Sequence, residues 1–282
     1  MLDMETAIAL HAWRVEFAEG SKAPPDGVET IEIAEPRSVT ALLIPLAPAD
    51  ALARLGPRPA GALTVVWMAP GANTPATIER DVDEWMRGAG TERKEVSVRA
   101  EVRTLRVVWD ESRAVIYANQ GDLPFALDAI LRFSLVQREA LALEATMKST
   151  WAALESDAAL THALRPRDQR RQRHINEMTE VTTRMKMAWL RVSRSIEQLD
   201  PALAEPSKRL FAELVSAASL YDRVDMLEAP LQFALDHYEI SNTRLIDMNL
   251  ARLERLSSIF GYGIIIVLLL IQIWIMVRGL TV

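Results

Sequence analysis

One run of ten residues concentrates positive charge in a chain that is acidic overall. Between residues 165 and 174 there are five arginines and a single acid, whereas the whole chain has a net charge of −6. The five are Arg165, Arg167, Arg170, Arg171 and Arg173. This basic run could bind RNA phosphates, a ribosome or anionic lipid headgroups, with about 1 kcal/mol from each basic residue near a charged surface. The alternative is a solvated turn between two helices, and the absence of interleaved aromatic residues argues against base stacking.

Residue types that bind metals or catalyse reactions are present, but their spacing matches no known site. The histidines include no His-x-x-x-His pair, and on one helix His237 points away from the face shared by Asp236 and Glu239. The sequence has no cysteine, no nucleotide-binding glycine motif and no Gly-x-Ser-x-Gly motif. We therefore expect no metal, no cofactor and no enzymatic activity. A hydrolase remains an alternative because carboxylate catalysts leave no motif.

Acidic residues recur along the segment that precedes the most apolar part of the chain. They are Asp222, Asp225, Glu228, Asp236, Glu239 and Asp247. Rings of such acids in an oligomer could supply cations to a pore. Alternatively, they form the solvated face of a helix and pair with bases three residues away.

The apolar span, residues 259–277, predicts one transmembrane helix. Its nineteen residues carry no charge, and as a helix they would cover about 28 Å, close to the hydrocarbon thickness of a bilayer. The residues that we expect to anchor it are Ile259, Tyr262, Ile266, Leu269, Gln272, Trp274 and Val277. Tyr262 and Trp274 stand near its ends, where amphipathic rings favour the headgroup region. Gln272 could hydrogen-bond to a partner helix.

The charges that flank the span predict its orientation. Arg244, Arg252 and Arg255 precede it and Arg278 alone follows it, so the positive-inside rule places the preceding residues in the cytoplasm or the mitochondrial matrix. Arginine outnumbers lysine 27 to 5, which is typical of a GC-rich bacterial genome. We expect a tail-anchored protein of the bacterial inner membrane, or of the mitochondrial inner membrane if the source is eukaryotic.

Residues 1–122 predict a small α+β domain with a mixed sheet. Seven short segments rich in Val, Ile, Leu and Thr are separated by Pro and Gly clusters, which is typical of strands. Val82, Trp85 and Met86 recur at helical spacing, so one helix is expected between about residues 74 and 87. These segments indicate a sheet covered by helices on one face or on both.

Residues 123–258 predict a layer of long helices arranged as a hairpin. The first is expected to run from Pro124 to about residue 164, and the second from about residue 168 to residue 199. The third is expected to start near Ser207 and to continue straight into the span. Pro230 lies inside it and should kink it or break it.

The third predicted helix carries a coiled-coil pattern. Its apolar residues alternate at spacings of four and three, as in a stalk that joins helices. The stalk set is Leu220, Val224, Leu227, Leu231, Tyr238, Leu245 and Met248. We expect this stalk to join protomers into a homo-oligomer, because Leu245 and Met248 near the membrane would lack cover from their own chain.

Several segments carry a resemblance to a known family. They are Thr64-Val-Val-Trp-Met68, Ala126–Met147, Leu220–Leu227, Arg244-Leu-Ile-Asp247 and Arg252-Leu-Glu254. Followed by an isoleucine-rich span, they resemble the "required for meiotic nuclear division" family of mitochondrial inner-membrane proteins and its bacterial relatives. The resemblance implies a small α+β region, long helices, a C-terminal membrane helix and a membrane-tethered homo-oligomer without known catalysis. A scaffold or tether is the function it implies, and one member supports mitochondrial translation at the membrane.

A second resemblance is architectural. CorA-type magnesium transporters also join a cytosolic α/β domain to long stalk helices and C-terminal spans, so a cation-conducting oligomer is the alternative function. Those transporters carry a second membrane helix and a Gly-Met-Asn filter, and this sequence contains neither.

Overall fold

The computed structural model describes residues 10–19, 28–47, 62–69, 80, 82, 84–86, 97–161, 170–201 and 203–279. The fold is α+β, as the sequence predicts: a seven-stranded sheet is followed by long helices, the last of them a long apolar helix. The chain divides into two compact units, which we call unit 1 (residues 1–145 and 187–228) and unit 2 (residues 146–186 and 229–282). The division falls within the helical region and cuts through helices, whereas the sequence suggested boundaries at residues 122 and 258.

The strands of unit 1 form one mixed sheet. They are β1 (Leu10–Glu19), β2 (Glu29–Ile33), β3 (Val39–Leu46), β4 (Leu63–Met68), β5 (Val98–Val102), β6 (Leu105–Trp109) and β7 (Arg113–Tyr117). Their order is β2-β3-β1-β4-β7-β6-β5, with β4 and β7 parallel and every other pair antiparallel. A tight turn between Val102 and Leu105 separates β5 from β6, and in this turn Arg103 adopts a left-handed backbone conformation (φ 57°).

Both faces of the sheet are buried, which explains the continuous apolar runs in its central strands. Along β4, Val65 and Trp67 face the larger core cluster, and Val66 faces a smaller cluster that also contains Val82 and Trp85. Successive side chains in a strand point to opposite faces, so a strand between two cores has no solvated side. The described residues between 80 and 86 are helical, and Val82, Trp85 and Met86, which the sequence predicts on one helical face, pack in this smaller cluster.

In the part of the chain that the structure describes, five α-helices follow the sheet. They are α1 (Leu123–Asp157), which ends in a 3-10 turn (Ala158–Thr161), then α2 (Gln172–Glu197), α3 (Glu205–Ala217), α4 (Leu220–Asp225) and α5 (Glu228–Gly279). The first part of α1, the last part of α2, and α3 and α4 contribute to the larger core cluster of unit 1.

The third predicted helix is therefore three helices. Ser219 adopts a left-handed conformation (φ 49°) between α3 and α4, and a turn at residues 226–227 separates α4 from α5. Pro230 lies in the first turn of α5, where a backbone N–H has no intrahelical acceptor, so the missing donor costs little there. Pro230 thus marks the beginning of a helix and does not kink one.

A buried tryptophan fixes α1 on the sheet. The Trp109 Nε1–H group donates a hydrogen bond to Ser134 Oγ at 2.7 Å, and the ring contacts Phe133 edge-on at 4.9 Å between centroids. Both Trp109 and Ser134 are buried. This hydrogen bond accounts for a serine at a position of α1 that the sequence pattern assigns to the apolar face.

The Trp109–Ser134 pair gives a prediction about stability. Replacing Trp109 with Phe should lower the free energy of unfolding by about 1–3 kcal/mol, because the buried Ser134 hydroxyl loses its donor. Adding Ser134→Ala should cost less in this background than alone, with a coupling energy of about 1 kcal/mol measured by urea unfolding. Strict additivity of the two substitutions would contradict a direct interaction.

Candidate membrane-contacting site

The stalk set is buried within the chain at five of its seven positions. Leu220 and Val224 belong to the core of unit 1, and Leu231, Tyr238 and Leu245 of unit 2 are at most 1% exposed. The expectation that Leu245 lacks cover from its own chain is therefore wrong. The remaining two members, Leu227 and Met248, are half-buried. Intrachain packing thus accounts for the four-three spacing without a second protomer.

Unit 2 brings together three helical segments, from the end of α1, the beginning of α2 and the first part of α5. Thr150 Oγ1 lies 3.9 Å from Met185 Sδ, which joins α1 to α2. Gln172 Nε2 donates to Asn242 Oδ1 at 2.7 Å, which joins α2 to α5. These contacts show that α5 begins as a helix packed in a protein core.

The later part of α5 is exposed on every face as far as Trp274. From Ala251 to Trp274 every side chain is exposed, and an 18-residue apolar window in this part is wholly unburied. Ile259 and Phe260 are 66% and 72% exposed, although burying such a side chain is worth about 1.5–3 kcal/mol. Among the described residues this is the one helix long and apolar enough to cross a membrane. The structure therefore fits the anchor that the sequence predicts.

The anchor residues lie on this exposed part of α5. Exposed members are Ile259, Tyr262, Ile266, Leu269, Gln272 and Trp274, while the side chain of Val277 lies outside the described part of the chain. The acidic residues that suggested a cation path are also exposed, on α4 and on the earlier part of α5. They are Asp222, Asp225, Glu228, Asp236, Glu239 and Asp247.

The described arginines of the basic run do not all face solvent. Arg165 and Arg167 lie outside the described residues, and Arg170 is exposed. Arg173 is also exposed and pairs with Glu177 at 3.0 Å. Arg171 points inward instead and donates to the carboxylate of a buried aspartate on α1. An anionic partner would therefore find fewer free arginines than the sequence suggests.

That aspartate, Asp157, joins the three helical segments of unit 2. Its side chain is completely buried; Oδ1 accepts from Arg171 Nη2, and Oδ2 lies 2.9 Å from His174 Nε2. The Tyr238 hydroxyl on α5 donates to Oδ2 at 3.3 Å. A buried carboxylate without partners costs several kcal/mol, so these contacts determine how the helices meet. Sequence reasoning missed Asp157, because an acid near the end of a helix carries no signal of burial.

Two ionisable groups of α5 respond to this environment. Burial lowers the pKa of His237, although the nearby Asp157 charge and a hydrogen bond to the Asp157 backbone act in the opposite direction. Its Nε2 atom is buried without a hydrogen-bond partner. Burial and the Asp157 charge raise the pKa of Tyr238, which stays protonated as a donor. The described residues contain no group of three ligands that could hold a metal.

The Asp157 contacts predict a large difference between two carboxylates of unit 2. Asp157→Asn should lower the free energy of unfolding by about 1–3 kcal/mol, because Arg171 and Tyr238 lose a charged buried acceptor. Glu177→Gln is the matched control, since its exposed ion pair should be worth less than about 0.5 kcal/mol. Thermal unfolding of the two variants in detergent measures the difference. Equal stability of both would show that Asp157 does not hold the helices together.

The lowered pKa of His237 predicts a dependence of stability on acid. The unfolded chain binds a proton at the ordinary histidine pKa of about 6.5, whereas the folded chain binds it only at lower pH. Stability from this group is therefore present above pH ~6.5 and declines as the pH falls below it. His237→Gln, which cannot titrate, should flatten the midpoint-versus-pH curve between about pH 6.5 and 5. An unchanged slope would contradict a buried neutral imidazole.

Comparison with known proteins assigns no family. No family model and no curated protein matches the sequence. Among solved structures, one described as the "structure of the full-length CmaX protein" aligns over 85% of this chain and 84% of its own, with 10% sequence identity and a TM-score of 0.35.

Proposed function

We propose that this protein is a non-enzymatic scaffold or tether that α5 holds in a membrane and that works as a homo-oligomer. One observation supports the membrane anchor: a single continuous helix is buried on one face in unit 2 as far as Leu245 and is then exposed and uncharged from Ile259 to Trp274. Exposing this apolar surface to water is unfavourable, and insertion into a bilayer removes that free-energy cost without any additional protein structure. The folded units then remain in the aqueous phase beside the membrane.

The charges next to the span support an orientation. Arg252 and Arg255 are exposed within seven residues before Ile259, at a depth where side chains reach the headgroups. The positive-inside rule then puts both units on the cytoplasmic side of a bacterial inner membrane, or on the matrix side of a mitochondrial one. Binding of RNA or anionic lipid by the basic run stays a prediction for Arg165, Arg167 and Arg170.

Charge placed in the middle of the span tests the anchor. Ile266→Arg with Leu269→Arg should abolish flotation of the full chain with liposomes, since each arginine at mid-bilayer costs about 2.5–3.5 kcal/mol. Ile266→Ala with Leu269→Ala is the control and should still float. Both positions are exposed in the folded chain, so circular dichroism should show unchanged helix and sheet in both variants. Flotation of the arginine variant, or wild-type protein that does not float, would overturn the proposal.

A further inference from the structure

Four large aliphatic side chains are exposed on α5 before the span begins. Ile246, Leu250, Leu253 and Leu256 are 49%, 56%, 64% and 44% exposed. They follow one another at spacings of four, three and three residues, which places them on one face of a helix that turns about 100° per residue. At about 100° per residue, Leu253, Ile246 and Leu250 lie roughly 80°, 100° and 140° from Leu245, which is buried in unit 2, whereas Leu256 lies within about 20° of it.

The bilayer is too thin to cover all four. A helix rises ~1.5 Å per residue, so Leu250 lies about 14 Å and Ile246 about 20 Å before Ile259, where the hydrocarbon begins. The headgroup layer on each side is only about 5–8 Å thick, and an average tilt of ~20° shortens these distances little. Lipid can reach Leu256 but not Leu250 or Ile246. Lipid therefore does not cover the outer residues, and only contact with protein would remove them from water.

The same face continues into the membrane. Phe260 and Val267 follow Leu253 at spacings of seven, and a shallow groove of about 410 Å³ opens at Gly263. The groove is lined by Ile259, Phe260, Gly263, Ile264, Val267 and Leu268. A Cβ atom at Gly263 would meet nothing within 4 Å. Small residues let helix backbones approach closely in a bilayer, and Gly263, about 80° from Leu253, lies at one side of this face.

The charged residues on this part of the helix leave that face free. At about 100° per residue, Asp247, Arg252, Glu254 and Arg255 all lie roughly 100° or more from Leu253. Gln272 is also about 100° away, so it does not belong to this face. An apolar face that is flanked by charges and recurs at spacings of three, four and seven residues is typical of the contact between two packed helices.

We propose that this face, the α5 seam (Ile246, Leu250, Leu253, Phe260 and Val267), packs in parallel against the α5 seam of a second copy of this chain. The proposal rests on the membrane anchor, which gives all copies one orientation and brings identical residues to identical depth. A second copy is therefore complementary by symmetry along the whole length, in water and in lipid. A different protein could pack on this face only with an apolar helix of its own at the same depth relative to the membrane.

The absence of cysteine from the chain allows a direct test. Leu253→Cys places a thiol in the seam, and Arg255→Cys places one in the same turn on the opposite face. Each full-length variant is purified, reconstituted into phosphatidylcholine–phosphatidylglycerol liposomes at high lipid-to-protein ratio, floated and oxidised with copper–phenanthroline. A disulfide needs Cα atoms within about 7 Å, so we expect roughly fivefold more covalent dimer from Leu253→Cys than from Arg255→Cys.

Each outcome decides the matter. Dimer that forms selectively at residue 253 supports the seam. Equal dimer at both positions indicates random collision, and floated protein that stays monomeric at both indicates that lipid covers the leucines; either result overturns the α5 seam and leaves the anchor intact. Protein that does not float overturns the anchor itself. Because only this chain is present in the liposomes, no other protein can supply the cover.

Discussion

Helix α5 is one continuous helix whose two parts lie in different environments. Its 52 residues begin in a protein core, where Leu231, Tyr238 and Leu245 are buried, and continue into a part where every side chain from Ala251 to Trp274 is exposed. A helix cannot redirect its faces without a kink, and Pro230, the residue best able to cause one, lies in the first turn. The change of environment therefore comes from what surrounds the helix. Unit 2 surrounds its first part, and we propose that a membrane surrounds its last part.

The charge cluster of unit 2 determines how that first part is held. Apolar side chains alone allow helices to slide, because hydrophobic contact has little directional preference. The Asp157 carboxylate is different, since its partners Arg171, His174 and Tyr238 come from two other helical segments and each needs a defined position. Breaking such a buried pair is costly, so it favours one arrangement of the helices over alternatives. One arginine of the basic run, Arg171, therefore stabilises the packing of the helices in unit 2.

Unit 1 uses the same combination of apolar burial and a few directional contacts. The sheet is covered on both faces, and Trp109 joins it to α1 through one hydrogen bond to Ser134. At the hairpin before β7, the Asp110 carboxylate accepts from the backbone N–H groups of Ser112 and Arg113 at 2.8 and 2.7 Å. These local contacts place β7 parallel to β4, between the two cores.

The sequence by itself determined the features that depend on local periodicity. Strands from Val39 and Leu63, the long helix from Leu123 and the uncharged span after Ile259 all follow from patterns that act within a few residues. Only the tertiary structure decided which repeated pattern finds a partner inside the chain. Leu245 and Leu253 are both apolar residues of one helix, yet the first is fully buried and the second is 64% exposed. The spacing of apolar residues shows which face of a helix is apolar, whereas the residues that pack against that face come from parts of the chain far away in sequence. The burial of Asp157 likewise depends on residues far away in sequence.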